Sequence, residues 1–240
     1  MTPALYLFPV PLGDTPPTDV LPAHNIALVR EIKHFIVEEV RTTRRWLKKM
    51  CPNIDIDSLT FYPIDKHTRA KEQRGSDTLQ NYLAPLRNGH SMGLLSEAGC
   101  PAIADPGAEI VAIAQREGLR VVPLIGPSSI LLSLMASGFN GQSFAFQGYL
   151  PIDPADRKQR IRTLENRAYQ EDQTQIFIET PFRNNKLLKE LLATLKPQTR
   201  LCIAADITCP TEFIQTRTCA KWSSHLPDLD KRPSIFLIHK

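Results

Sequence analysis

The 240-residue sequence lacks the short motifs that identify many nucleotide-dependent, zinc-dependent and hydrolytic enzymes. It contains no GxxxxGK[ST] phosphate loop and no GxGxxG dinucleotide fingerprint. An HExxH zinc motif and a Ser/His/Asp hydrolase signature are also missing. Its five cysteines show neither CxxC nor Cys/His ligand spacing, so we expect no bound metal. The sequence therefore disfavours an enzyme that binds a triphosphate, uses zinc or hydrolyses its substrate through a covalent intermediate.

Long apolar runs are missing as well. None approaches the roughly 20 residues that a membrane-spanning helix needs, so we expect no membrane association. No charged-then-apolar signal peptide precedes the cysteines, which favours a reduced, cytoplasmic protein. The 42% of hydrophobic residues is enough to bury a core, and the net charge of +4 is compatible with an anionic partner.

Residues 94–107, LLSEAGCPAIADPG, are the most informative stretch of the chain. A buried strand over 92–95 is predicted to lead into this stretch, and an amphipathic helix over 108–117 is predicted to follow it. Between them Gly99 permits close approach or positive φ, whereas Pro101 and Pro106 fix φ and remove donors. A strand, a stiff glycine-bearing loop and a helix form the usual ligand edge of an open α/β sheet.

The first half of the chain repeats this strand, loop and helix pattern. It predicts a parallel, doubly wound sheet. Strands are predicted over 4–10, 33–38, 59–64, 92–95 and 120–125, with helices over 24–30, 42–50, 78–86, 108–117 and 130–137. The proline-rich segment 15–22 is expected to be irregular, and the charged segment 65–74 is either a solvated loop or a partner contact.

The second half predicts a mixed sheet, because the alternation over 211–218 indicates a hairpin strand. Strands are predicted over 143–149, 175–179, 200–206, 212–217 and 234–238, with helices over 155–171 and 184–195. The first of these helices carries five basic residues between Arg157 and Arg167, which favours an exposed helix over an RNA groove. We therefore predict two α/β domains, over residues 1–140 and 141–240.

Three predicted loops, 9–14, 96–101 and 126–129, offer glycines, hydroxyls and backbone amides but no lysine. Triphosphate-binding loops use a lysine against the phosphates. The composition therefore favours a neutral or zwitterionic adenosyl ligand.

The order of motifs along the chain is PLGD, FIVEEVRTTRRWL, SEAGCPAIADPG, VVPLIGPSS, ASG, FAFQGYLP and IFIETPFR. In this order the sequence resembles the tetrapyrrole methylase superfamily, a class of S-adenosylmethionine-dependent methyltransferases. Within it the chain is most similar to the ribosomal small-subunit methyltransferase I family, which 2'-O-methylates a cytidine of small-subunit rRNA. The resemblance implies two α/β domains, a homodimer, and a methyl donor folded in the cleft between the domains.

The resemblance also implies site residues. Those next to the cofactor would be Leu12, Gly13, Ala98, Gly99, Cys100, Ile103, Ser128, Ser129, Thr180, Asp206 and Pro233. The acidic and arginine motif that faces the substrate is matched by Glu38, Glu39, Arg41 and Arg44, and we take Glu39, Arg41 and Arg44 as catalytic candidates.

Several side chains depart from the family pattern. The aspartate and threonine of the 94–107 motif appear here as Glu97 and Cys100, and those of the acidic motif as Glu39 and Val40. The cofactor prediction therefore rests on backbone at Ala98 to Cys100.

Structural roles are the alternatives at each position. Gly99 and Pro101 could form a tight turn only, and Ser128 and Ser129 could cap a helix. Cys100 is more simply a packed residue than a nucleophile. Arg41 and Arg44 suit phosphate binding, or a solvated helix with ion pairs.

The sequence favours a methyltransferase acting on an RNA ribose hydroxyl. A small-molecule methylase on the same fold is the first alternative, because fold does not fix substrate. A non-catalytic RNA-binding or partner-binding protein is the second.

Overall fold

The computed structural model describes residues 2–64, 68, 77–222 and 224–240. The chain divides into two compact units, Met1–Ser128 (unit 1) and Ser129–Lys240 (unit 2). This division falls before the helix Ser129–Ser137, whereas the predicted domain boundary lies after it. The helix packs on strands of the second sheet, and Thr216 Oγ1 donates to the Ser137 carbonyl at 2.7 Å. The domain boundary itself stays a prediction.

Unit 1 contains a five-stranded sheet in the order β3-β2-β4-β1-β5. All of its strand pairs are parallel, as the repeated strand and helix pattern predicted. The strands are β1 (Leu5–Phe8), β2 (His34–Val37), β3 (Thr60–Pro63), β4 (Met92–Leu95) and β5 (Val121–Pro123).

The helices of unit 1 follow the predicted pattern with two exceptions. They are α1 (Pro17–Val20), α2 (Ala23–Val29), α3 (Val40–Met50), α4 (Thr78–Tyr82), α5 (Ala84–Arg87) and α6 (Gly107–Arg116), with a 3-10 turn at Ile56–Ser58. Segment 15–22, expected to be irregular, contains α1, because a proline at the first helical position needs no hydrogen bond there. The helix predicted over 78–86 is two helices, since Pro85 cannot donate within a continuous one. Apart from Thr68, the polar segment 65–74 lies outside the described residues.

Both faces of the first sheet are buried, which suits a parallel sheet covered by helices. Phe8 and Phe35 lie in the cluster on one face, and Leu5 and Ile36 in the cluster on the other. A Cβ at Gly93 would lie 2.6 Å from the Phe35 ring, so glycine in this central strand makes room for the aromatic layer.

Unit 2 contains a mixed sheet in the order β6-β7-β10-β8-β9, as predicted. β6 and β7 are parallel, and the other three pairs are antiparallel. The strands are β6 (Phe144–Tyr149), β7 (Thr174–Ile178), β8 (Arg200–Ala205), β9 (Phe213–Thr218) and β10 (Ser234–His239). The helices are α7 (Ser129–Ser137), α8 (Pro154–Gln170), α9 (Asn184–Thr194) and α10 (Cys219–Trp222), with a 3-10 turn at Pro181–Arg183.

The core of unit 2 centres on the stacked rings of Phe177 and Phe236 and on buried Trp222. Among the described residues of both units, no helix combines the length and apolar character needed to cross a bilayer.

Candidate active site

The three predicted loops of unit 1 meet at the carboxyl edge of its sheet. They follow β1, β4 and β5, and β1 pairs with both of the others. Val10 and Gly99 exchange two backbone hydrogen bonds, at 2.9 and 3.1 Å. The Cys100 thiol approaches the Pro127 carbonyl at 3.4 Å. Loops that are far apart in sequence therefore form one continuous rim.

Gly99 lies where this rim is tightest. Its φ is +72°, and a Cβ there would lie 3.1 Å from Leu12 Cδ2 and 3.6 Å from the Pro127 oxygen. The position thus requires glycine for both its backbone conformation and its space. Because Val10 already uses the Gly99 N–H and carbonyl, we expect ligand contacts from the neighbouring Ala98, which is exposed, and Cys100.

The segment after Gly99 holds an apolar side chain in solvent. Ala102 and Ala104 have φ of 67° and 60°, and Asp105 Oδ1 fixes this turn by accepting from Ala102 N and Gly107 N. Ile103 between them is 54% exposed. Left-handed non-glycine residues carry strain and are concentrated at functional sites, so this turn suits the presentation of Ile103 to a ligand.

Cys100 itself has the properties of a packed thiol. It is half-buried, and burial raises its pKa above the ordinary value. A protonated thiol is a poor nucleophile, which supports the structural interpretation.

Carboxylates lie together at the ends of the neighbouring strands β2 and β4. Glu38 Oε1 accepts from the Glu97 amide at 3.3 Å, and Glu39 caps α3 by accepting from Arg41 N at 2.9 Å. Burial raises the pKa of the Glu97 carboxyl, a Thr42 hydrogen bond opposes the shift, and the Glu39 charge adds to it. Sequence reasoning noted Glu97 only as a departure from a pattern. The adjacency of β2 and β4 is the signal that would have grouped it with Glu38 and Glu39.

The two candidate arginines, Arg41 and Arg44, differ in their contacts. Arg41 is exposed near the start of α3. Arg44 makes a 2.6 Å ion pair with Asp57, as the alternative interpretation of a solvated helix with ion pairs expects. Beside it lies a groove of about 490 Å³ that contains both basic and acidic side chains.

The three site residues predicted in unit 2 also reach one sheet edge. Thr180 follows β7, Asp206 follows β8, and Pro233 precedes the antiparallel β10 that lies between them. The Asp206 amide donates to the Pro233 carbonyl at 3.0 Å. The sheet order explains why segments 25 or more residues apart converge here.

Two ion pairs that sequence reasoning missed hold this edge. Asp206 Oδ2 accepts from Arg232 Nε at 2.7 Å and from Thr211 Oγ1 at 2.9 Å. Glu179, which is buried, accepts from Arg183 and from the Thr180 amide at 2.7 Å. Arg232 lies outside the motifs, and Glu179 lies within IFIETPFR without a predicted role, so the fold reveals both contacts.

Ser128 and Ser129 mark the division of the chain: Ser128 ends unit 1, and Ser129 begins α7 of unit 2.

A parallel sheet followed by a mixed sheet is the fold of known tetrapyrrole methyltransferases. The methyltransferase CobJ has a TM-score of 0.64 at 15% identity, with 100% of this chain and 95% of that chain covered. Uroporphyrin-III C-methyltransferase from Thermus thermophilus, complexed with S-adenosylhomocysteine, has a TM-score of 0.54 at 16% identity, covering 99% and 97%.

The sequence match is more specific than the fold. The family model of the tetrapyrrole (corrin/porphyrin) methylases matches residues 5–221, and the chain belongs to this family. The family's description makes it a methylase.

Two similar sequences carry the name ribosomal RNA small subunit methyltransferase I. The relative from Vibrio cholerae is 29% identical over 240 residues, covering 99% of this chain and 77% of its own. The relative from Bacillus subtilis is 32% identical over 217 residues, covering 90% and 64%.

Proposed function

We propose that the protein methylates small-subunit ribosomal RNA at a ribose 2'-hydroxyl, in the cytoplasm. The observation that carries this proposal is the convergence of the Gly99 rim and the Glu38, Glu39 and Glu97 carboxylates at the carboxyl edge of a single sheet. The names of the similar sequences support RNA as the substrate.

The residues of the rim fit an adenosyl cofactor. The tight packing around Gly99 and the exposed Ile103 side chain fit a ligand whose apolar ring lies against the backbone of the rim. The rim loops carry no lysine that would select a triphosphate. S-adenosylmethionine, when bound, supplies the methyl group. We assign its contacts to Leu12, Gly13, Ala98, Gly99, Cys100, Ile103 and Ser128 in unit 1, and to Ser129, Thr180, Asp206 and Pro233 in unit 2.

The carboxylates of Glu38, Glu39 and Glu97 act on the substrate and not on the cofactor. A ribose hydroxyl must lose its proton as its oxygen takes the methyl group, and a carboxylate within hydrogen-bond reach can accept that proton. Glu39 uses one oxygen to cap α3, and a carboxylate has further acceptor sites. Arg41 and Arg44, one helical turn apart, would hold the RNA phosphates and favour the developing negative charge on the ribose oxygen.

We also propose that the protein is a homodimer. Unusually large apolar side chains are exposed in each unit: Ile125 in unit 1, and Met135, Ile152 and Phe182 in unit 2, are each more than 70% exposed. Exposed apolar side chains bind another protein chain where they form a contiguous patch.

The substrate assignment is tested with labelled S-adenosylmethionine and undermethylated small ribosomal subunits, followed by mapping of the label. The double variant Arg41→Ala/Arg44→Ala should lower methyl transfer about tenfold or more while cofactor affinity by calorimetry stays within about twofold. Arg116→Ala/Arg120→Ala is the matched control. These exposed arginines both precede β5, and therefore lie at the amino edge of the sheet, opposite the carboxyl edge that holds the site.

Equal losses of transfer and cofactor affinity in the Arg41/Arg44 variant would contradict the substrate role. No saturable cofactor binding by the wild-type protein would contradict the enzyme itself. Cofactor binding with no label in RNA, and substrate binding that salt does not weaken, would indicate a small-molecule methylase.

A further inference from the structure

A second basic groove lies in unit 2, away from the predicted site residues. It has a volume of about 560 Å³ and follows β9, the outermost strand of the second sheet. Arg200, Arg217 and Lys221 line it, together with uncharged glutamine, threonine and serine side chains. No carboxylate is among the described residues that line it.

The two arginines lie on opposite faces of the sheet, Arg217 on the outermost strand β9 and Arg200 on the neighbouring strand β8. Directly paired residues share a face, and successive residues alternate. Arg217 pairs with buried Leu201, on the core face, whereas Arg200 pairs with Thr218, on the other face. Lys221 follows from α10. A chain lying along this edge would therefore meet positive charge on both sides.

Two of these cations are held in place by aromatic rings. The Arg217 guanidinium lies 5.0 Å from the centre of the Trp222 ring, and that of Arg200 lies 5.0 Å from the centre of the Phe139 ring. Arg200 Nε also donates to the Lys240 carbonyl at 2.7 Å. Within the described part of the chain, neither Arg217 nor Lys221 makes an ion pair. The aromatic contacts order the two guanidinium groups before any ligand binds, which lowers the entropic cost of binding an anion.

The groove beside α3 in unit 1 is a useful contrast. It also carries three cations, but Asp55 and Asp57 line it, and Asp57 neutralises Arg44 at 2.6 Å. Of the two grooves, the one along β9 has the uncompensated charge.

We infer that the β9 groove binds the phosphate backbone of the RNA substrate, as a contact that positions RNA without reading its bases. This inference rests on the proposed function for the identity of the polyanion. The proposed function favours RNA over an acidic peptide, since guanidinium groups bind phosphate and carboxylate oxygens bidentately alike. The rings of Trp222 and Phe139 are covered by arginines, so base stacking contributes little and the binding is independent of sequence.

The test compares two double variants that remove the same charge. Arg217→Gln/Lys221→Gln changes the groove, and Lys158→Gln/Arg162→Gln changes two exposed cations of α8 in the same unit. The probe is a fluorescent oligouridylate of about 20 nucleotides, titrated at several salt concentrations, with circular dichroism to confirm folding. We expect the groove variant to bind about tenfold more weakly, and its salt slope to fall by about 1.4, since each phosphate contact on a single strand contributes about 0.7.

Equal binding by the two variants would overturn the inference, and would leave the basic edge as protection against strand pairing between molecules. A loss of poly-glutamate binding with oligouridylate binding intact would overturn it in favour of an acidic protein. Failure of the proposed function is separately visible, because the wild-type protein would then leave small ribosomal subunits unlabelled whatever the oligouridylate result.

Discussion

Gly99 is the residue on which the geometry of the cofactor rim depends. Its left-handed backbone lets the chain turn back to pair with Val10, and its lack of a side chain lets Leu12 and Pro127 approach. These are separate requirements, and a substitution at Gly99 violates both.

We expect Gly99→Val to fold but to bind S-adenosylmethionine at least tenfold more weakly. A β-branched residue at positive φ should destabilise the protein by about 1–3 kcal/mol, and its methyl groups would displace Leu12. Gly118→Val is the matched control, because Gly118 has φ +67° and nothing within 4 Å of a built Cβ. Calorimetry and urea denaturation of both variants separate binding from stability, and equal cofactor affinities would make the rim purely structural.

Glu97 provides a prediction about pH. Burial raises the pKa of its carboxyl in the folded protein above the ordinary value of 4.5, so folding favours the protonated form. Its contribution to the free energy of unfolding is therefore present at low pH and is lost as pH rises through the raised pKa. Glu97→Gln should gain stability relative to wild type as pH rises from about 4 towards 7. Denaturation at a series of pH values measures this difference, and a constant difference would show that the carboxyl titrates normally.

At the scale of elements, periodicity and glycine or proline punctuation predicted most strands and helices, because buried faces impose a repeat on the sequence. Both sheet types followed from the same patterns. Pairing between distant elements could not be predicted. The sequence placed Arg157 on an exposed helix, but Arg157 is buried, and its guanidinium makes two bonds to Glu190 on α9, at 2.6 and 3.0 Å. Its partner is 33 residues away, and no local pattern marks the pair.

The Arg157–Glu190 pair ties α8 to α9 and to the turn after β6, where Arg157 also donates to the Pro151 and Ile152 carbonyls. Arg157→Ala should destabilise unit 2 by about 3 kcal/mol, because it leaves a partly buried carboxylate and two carbonyls without their donor. Arg167→Ala in the same helix should cost less than about 0.5 kcal/mol, since its contact to Glu171 spans 3.8 Å and is half exposed. Urea denaturation of both variants measures the contrast, and similar losses would mean that the buried pair adds no stability.

At the scale of the whole molecule, each unit gathers its predicted residues at one edge of its own sheet. For unit 1 the order of strands, loops and helices predicted this, because residues that follow parallel strands share an edge. The anchoring contacts of the second edge, from Arg232 to Asp206 and from Arg183 to Glu179, were missed because arginine and carboxylate residues occur throughout the chain. The sequence identifies the loops that form each edge. The order of strands in each sheet determines which side chains anchor those loops.

Hydrogen exchange with and without S-adenosylmethionine tests whether both edges belong to the cofactor site. At about 100 times its dissociation constant the cofactor should stabilise the folded protein by about 2.7 kcal/mol. If our assignments in both units are right, amides at 97–100, 102 and 103 in unit 1 and at 180 and 206–209 in unit 2 should exchange more slowly, because ligand contact restricts the local opening that exposes them. Amides at 118–120, and at 198 and 199, at the opposite edges of the two sheets, serve as internal controls and should change less. Protection confined to unit 1 would remove Thr180, Asp206 and Pro233 from the site while leaving the Gly99 rim intact.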